Sequence, residues 1–272
     1  MKRIATLILA LAVLCCSLLS FTACSDEVKD VKQIEEKGYF VCGITVYEPM
    51  NYFDEGGNLV GFDTEFAQAV AEYLGLEVKF QVIDWPSKYL ELNKGSIDCI
   101  WNGFTYGLED GVSRADYVDF TYSYLENRQC IVTKADRLGE LNSAAAFAGK
   151  TAAVEGGSSG EGVAEGLTDE ANVSKFTSQL DALLELNQGK VDFIVIDYQM
   201  AKQYAGSADY ASLAINTAVE PESEVYAIGC RKGSDFTAKL NEAIAALSAN
   251  GKLAEIAAKY DLTNDLIPNI GQ

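Results

Sequence analysis

Leu90-Glu91-Leu92-Asn93-Lys94-Gly95-Ser96-Ile97-Asp98 is matched 94 residues further on by Leu184-Glu185-Leu186-Asn187-Gln188-Gly189-Lys190-Val191-Asp192. In both stretches a helix stops at Gly, and a strand begins at the β-branched residue that follows. Such a connection is common, but the order of elements around it repeats too. Ahead of the first copy, 39–45 reads as a strand. Helical spacing of Phe62, Phe66, Ala69, Val70 and Tyr73 predicts a helix over 62–74, with Asp63 as its N-cap and Gly75 as its stop. Residues 76–82 alternate with period two, 86–94 is a helix with Pro in its first turn, and 97–101 is a short buried strand. The second copy has strands at 150–154, 173–176 and 191–196, with helices at 158–166 and 179–187.

Strands alternating with helices predict a parallel sheet covered by helices. Two such modules predict two Rossmann-like α/β lobes, each with a helix-covered central sheet. Apolar strands at 129–133 and 225–231 lie between the modules, and 234–260 is helical with Gly251 breaking it in two. A second lobe inserted into the first needs two crossings of the chain, which these strands provide as a two-stranded hinge. The expected boundaries are 38–128 with 231–272 for lobe 1, 134–224 for lobe 2, and 129–133 with 225–230 for the hinge.

The N-terminus carries a different signal. Met1-Lys2-Arg3 is a short positive start, 4–19 is almost wholly apolar, and small residues lead to Thr22-Ala23-Cys24. These are the three regions of a secretory signal peptide, expected at 1–23. Residues 24–37 are charged and suit a tether and first surface helix. Removing the leader takes the formal charge from −19 to −21, because Lys2 and Arg3 go with it. So acidic a chain is a poor partner for nucleic acid or for anionic lipid headgroups.

There is no His, which removes the commonest metal ligand and the usual general base. Cys42, Cys99, Cys130 and Cys230 form no C-x-x-C pair, so no zinc or redox motif is expected. Each sits in an apolar run, where a free thiol behaves as a small hydrophobe. An oxidising compartment permits disulfides, and Cys130 with Cys230 is the first pairing to test. No cofactor and no metal are implied.

Seven segments in order carry a family resemblance. They are Gly43-Ile44-Thr45-Val46-Tyr47-Glu48-Pro49, Gly61-Phe62-Asp63, Asp84-Trp85, Asp98-Cys99-Ile100-Trp101-Asn102-Gly103-Phe104-Thr105, Arg114 through Val118-Asp119-Phe120, Gly156-Gly157-Ser158-Ser159-Gly160, and Val191-Asp192-Phe193-Ile194-Val195-Ile196-Asp197. Together they resemble the amino-acid-type extracellular solute-binding proteins (family 3) of ABC transporters, which have the type II periplasmic-binding-protein fold. Phe21-Thr22-Ala23-Cys24 similarly resembles a lipobox, with Cys24 as the lipidated residue.

The resemblance implies a binding protein, not an enzyme. A monomer tethered by lipid at Cys24 to the extracytoplasmic face of the cytoplasmic membrane would capture a free amino acid by hinge closure and deliver it to an ABC permease. Arg114 resembles the family's arginine that forks onto the α-carboxylate, a geometry Lys does not reproduce. Ser158 and Ser159 open a helix, where free N–H groups favour the same anion. Asp197 takes the ammonium in this reading, although read alone it is a helix N-cap. Asn102, Gly103 and Thr105 match the strand end that also meets the ammonium, and Tyr47 and Trp85 match two aromatics that sandwich the ligand side chain.

Two departures bear on the ligand. Members that take basic amino acids carry Asp three residues before the Tyr, and this chain has Ile44. That favours a polar uncharged or modestly apolar amino acid. Nine positions separate Thr105 from Arg114, about four more than the family pattern, so the loop rimming the cleft is enlarged. The same fold also serves cyclohexadienyl dehydratase-like enzymes, for which Glu155 or Glu220 would supply the acid. A sensory ligand-binding protein is a third reading, which needs a spanning helix or a signalling module after Gln272.

Overall fold

The computed structural model describes residues 29–109 and 111–271. The signal peptide expected at 1–23 and the lipidation candidate Cys24 lie outside the described residues. Helix α1 (Asp30–Lys37) ends at Gly38, which turns left-handed at φ 74° and leads into β1 (Tyr39–Ile44). A small hairpin, β2 (Tyr52–Phe53) with β3 (Leu59–Val60), precedes α2 (Phe62–Leu74). Gly61 has φ 124°, and a Cβ there would lie 2.2 Å from the Met50 carbonyl oxygen. Only glycine lets α2 start beneath that loop. Gly61, not Asp63, holds the N-cap position, and Asp63 is buried with a different task.

The first sheet has the order β4 (Glu77–Val82), β1, β5 (Cys99–Ile100), β15 (Gly229–Arg231) and β8 (Val118–Phe120). β4 (Glu77–Val82) and β5 (Cys99–Ile100) lie parallel to β1 on its two sides. The helix expected at 86–94 is a 3-10 turn, Trp85–Ser87, followed by α3 (Lys88–Asn93). The long loop before Arg114 is itself a hairpin, β6 (Leu108–Glu109) with β7 (Val112–Ser113), which leads to β8 (Val118–Phe120). Phe66 anchors the core beneath, with Trp101 and Tyr124 edge-on at 5.1 and 5.4 Å between ring centres. Full burial of side chains this size stabilises by about 1.5–3 kcal/mol each.

The second sheet has the order β11 (Val173–Phe176), β10 (Ala152–Glu155), β12 (Phe193–Asp197), β9 (Leu125–Lys134) and β13 (Leu213–Asn216), with β14 (Ser223–Tyr226) also on β9. Its parallel part is β10 (Ala152–Glu155), β11 (Val173–Phe176) and β12 (Phe193–Asp197), connected by α4 (Ser159–Glu165) and α5 (Gln179–Asn187). β12 is buried along its whole length, which is why its sequence is a continuous apolar run rather than an alternation. Helix α6 (Tyr198–Tyr204) leads to β13 (Leu213–Asn216) and β14 (Ser223–Tyr226). The chain then returns through β15 (Gly229–Arg231) to the first sheet, where α7 (Phe236–Ala249) and α8 (Lys252–Lys259) pack on α2.

The crossing between lobes differs in place from the sequence expectation. β9 (Leu125–Lys134) is one long strand whose Leu125–Arg128 half pairs with β14, while Gln129–Lys134 pairs with β12 and β13 inside the second sheet. The paired crossing is therefore 125–128 with 223–226, ahead of the expected 129–133. The strand expected over 225–231 divides at Ala227 and Ile228, because Tyr226 pairs with Leu125 while Gly229 pairs with Ile100 and Phe120 of the other sheet.

That division also separates the two hinge cysteines. Cys130 lies opposite Ile196 in the second sheet, and Cys230 lies opposite Cys99 in the first. Cys42, Cys99, Cys130 and Cys230 are all free and buried. The first pairing to test is thus not formed: Cys130 and Cys230 are free thiols, one in each sheet, with different strand partners. Unfolding the protein in denaturant without reductant and alkylating it should label all four thiols. Protection of Cys130 and Cys230 as a pair, seen by mass spectrometry, would contradict this topology.

Candidate functional site

The parallel strands of both lobes end at one shared interface, where ligands of open α/β sheets bind. From lobe 1, Trp85, Asn102, Gly103, Thr105 and Arg114 line a cavity there. From lobe 2 come Ser158, Ser159 and Asp197, together with Gln129, Glu155 and Gln179. Eight of the nine residues nominated from sequence thus surround one space. The ninth, Tyr47, stands behind Gly103, and its hydroxyl meets that of Tyr226 at 2.8 Å.

The lobes are shut on this cavity, whose volume is about 10 Å³. Space on that measure for a single water is about 10–15 Å³, and small-molecule pockets run to about 300–1,000 Å³. Anything the size of an amino acid therefore enters only when the lobes part. Thr105, Gln129 and Ser159 also line an outer groove of about 670 Å³ between hairpin β6–β7 and the loop before β14.

Lobe 1 supplies the positive side. Arg114 is 1 % exposed and every guanidinium nitrogen has an acceptor. Nε donates to Glu109 at 3.2 Å, one terminal nitrogen to the Thr105 carbonyl at 3.1 Å, and the other to the Gly157 carbonyl at 3.1 Å. The Phe104 ring lies under the guanidinium at 5.2 Å. Lys88, fully buried, donates to Glu109 at 2.9 Å and to the Gly157 carbonyl at 2.9 Å. Burial pushes the Lys88 ammonium below its ordinary pKa, and the charge of Glu109 opposes that push.

Asn102 is braced rather than free. Its amide exchanges hydrogen bonds with Thr45 and donates to Asn51, so its side chain secures the strand end. Gly103 sits at φ 56° and donates its N–H to Asp63 at 2.7 Å. This is the task of Asp63: it accepts from the turn that carries Gly103. Burial raises the Asp63 carboxyl to about 6, against the pull of that hydrogen bond.

Lobe 2 supplies the acidic side. Asp197 accepts from Asn127 at 2.6 Å and Gln129 at 3.0 Å through one oxygen, and from Gln179 through the other. Burial first, and then the charge of Glu224, raise its carboxyl to about 7. Although it precedes α6, its side chain makes no cap hydrogen bond. Glu155 is pushed well above the ordinary range by burial and then by the charge of Asp197. Its Oε1 has no hydrogen-bond partner among the described residues. Ser158 caps α4 by accepting from Glu161 N–H at 3.3 Å, and Ser159 lines the cavity beside it.

Lys88, Glu109, Gln129 and Gln179 were absent from the sequence nomination. Gln129 had a signal, since it is the polar residue that opens an apolar strand. Lys88 and Glu109 had none, because a charge on a short helix or in a loop ordinarily marks solvent.

Residues 40–263 match the family of bacterial extracellular solute-binding proteins, family 3. The chain belongs to that family. It is 28% identical over 261 residues to a probable histidine-binding protein of Neisseria gonorrhoeae, covering 92% of this chain and 93% of that one. The L-cystine-binding protein TcyA of Bacillus subtilis is 30% identical, covering 84% and 82% of the two chains. Among solved structures, a substrate-binding protein of an ABC uptake transporter from Streptococcus pneumoniae with bound histidine superposes with a TM-score of 0.75. It is 30% identical and covers 86% of this chain and 96% of that one.

Two expectations follow for this family member. A Cβ on Gly103 would lie 2.8 Å from Tyr47 and 3.0 Å from Tyr226, on a left-handed backbone. Gly103→Ala should therefore lower stability by about 2 kcal/mol or more in urea unfolding. Asp63 has a folded pKa above the unfolded value of about 3.9, so its folded state holds the proton longer. That contribution is complete below pH 4 and is lost as pH rises through about 6. Asp63→Asn should flatten the fall in Tm between pH 4.5 and 7.5, and an unchanged profile would remove Asp63 as its source.

Proposed function

We propose that this chain captures a free L-amino acid between its lobes and passes it to the permease of an ABC importer, held at the extracytoplasmic face of the cytoplasmic membrane by lipid on Cys24. One observation carries the reading: a buried arginine of lobe 1 and a buried carboxyl of lobe 2, Arg114 and Asp197, line the same interlobe cavity. A zwitterion has the complementary charges. Its carboxylate suits the guanidinium and its ammonium suits the Asp197 carboxylate. Contacts from the second lobe then favour the shut state over the open one, which is the condition for capture by closure. Relatives named for binding histidine and cystine support capture rather than catalysis.

The side chain accommodated is polar and uncharged, or modestly apolar. Ile44 is buried in the lobe 1 core and offers no counter-charge to a basic group. Burial pushes the Glu155 carboxyl toward its neutral form, which suits a neutral hydrogen bond on this side of the cavity. Two acyl chains on Cys24 would suffice for stable anchoring, and tethering raises the concentration of binder at its permease.

A thermal-shift panel of the common L-amino acids and L-cystine, each at millimolar level, tests the reading. At least one uncharged member should raise Tm, since a ligand of the folded state stabilises it by mass action. No shift with any of them would refute amino-acid capture, and a ranking led by arginine and lysine would refute the side-chain class. For any hit, Arg114→Ala should abolish the shift. Affinity should also fall as pH drops through about 7, where Asp197 takes up a proton and can no longer pair with an ammonium. Asp197→Asn should bind weakly at every pH tested.

A further inference from the structure

The hairpin that lengthens the loop before Arg114 does more than rim the cleft. Its Glu109 reaches inward and lies between two buried cations, accepting from Lys88 Nζ through one oxygen and from Arg114 Nε and the Tyr89 hydroxyl through the other. Lys88 and Arg114 are 0 % and 1 % exposed, and Glu109 is the one carboxylate ion-paired with either of them among the described residues. Glu155 faces the same cations from lobe 2, with its carboxyl held toward the neutral form. One ion-paired carboxylate thus serves two buried basic side chains among the described residues. Buried charge without a counter-charge is costly, so this place selects for one more anionic oxygen.

The shut structure marks where that oxygen goes. The Gly157 carbonyl of lobe 2 accepts from Lys88 Nζ at 2.9 Å and from an Arg114 terminal nitrogen at 3.1 Å. A Cβ on Gly157 would lie 2.9 Å from both Lys88 Nζ and a Glu109 oxygen, so this backbone is pressed directly against the cations. Gly157 belongs to the opposite lobe. When the lobes part, its oxygen leaves and both donors face the cleft.

We infer that Lys88 is a second carboxylate-binding residue: with Arg114 it forms a two-cation seat, positioned by Glu109, that takes one ligand carboxylate in place of the Gly157 carbonyl. The inference rests on the reading of the cleft as an amino-acid site and adds a residue to it. Lys88 touches the ligand carboxylate, while Glu109 acts through the two cations and is a positioning residue. The seat belongs to this chain's own hairpin, since Glu109 lies within the enlarged Thr105–Arg114 spacing.

The test titrates acetate and acetamide into the protein, read by tryptophan fluorescence, because the Trp85 ring lies 5.2 Å from Lys88 Nζ. In parallel, each amino acid that shifts the melting curve is compared with its own α-carboxamide by calorimetry. Lys88→Met keeps length and removes charge. It should weaken acetate and amino acids by about tenfold or more, equivalent to about 1.4 kcal/mol, and leave the amides unchanged. Glu109→Gln, whose single amide oxygen can accept from only one of the two cations, should weaken acetate and amino acids and leave the amides unchanged, whereas loss of a merely structural strut would weaken both.

Lys88→Met binding carboxylates within about twofold of the parent, or losing amides equally, would overturn the inference. So would a Glu109→Gln variant that folds and binds carboxylates as the parent does, or loses amides equally. If the parent protein responds to acetate in a Lys88-dependent way but to no amino acid, the capture reading falls and the seat stands. If it responds to neither, both fall.

Discussion

Arg114 has almost no contact with water, and a guanidinium does not lose its proton to escape burial. Its donors must find acceptors inside the protein, and they come from three separate places. Thr105 belongs to the strand end of lobe 1, Glu109 to the hairpin that precedes the arginine, and Gly157 to the turn that opens α4 in lobe 2. The third contact exists only when the lobes are shut. A single buried cation thus ties strand end, hairpin and opposite lobe into one arrangement. A ligand carboxylate that replaces the Gly157 oxygen inherits a site already shaped for it.

The acidic half of the cleft is built differently. Asp197 is held by three amide side chains, Asn127, Gln129 and Gln179, of which two project from β9. Asn127 and Gln129 also donate to Glu224 on β14, so the strands that cross between lobes carry hydrogen bonds to the site. Parting the lobes requires bending close to these residues. The crossing strands and Asp197 are therefore adjacent, whereas Arg114 and Gly157 meet across the interface between the lobes.

Much of the fold was legible because its signals are local. Gly38, Gly75 and the paired Gly95 and Gly189 mark helix stops, and the buried run Phe193–Ile196 marks a central strand. Eight of nine nominated residues lie around one cavity, because strand-end positions in α/β lobes converge by construction. Tyr47 does not line it, since sequence position says which strand a residue follows but not which way an aromatic ring turns. The strands paired at the crossing, 125–128 with 223–226, start about four residues ahead of the expected 129–133 for a related reason. Apolar character runs evenly along β9, and only pairing partners reveal where one sheet ends and the crossing begins.

Sequence alone determined two α/β lobes and the kinds of charge at their strand ends, because periodicity, glycine placement and the order of short motifs are properties of neighbouring residues. Tertiary structure decided which charges meet. Lys88 lies on a short helix, Glu109 in an enlarged loop and Gly157 in the other lobe, and nothing in their spacing requires contact. Their convergence depends on how two sheets face each other across a crossing strand, and burial then makes that convergence matter energetically.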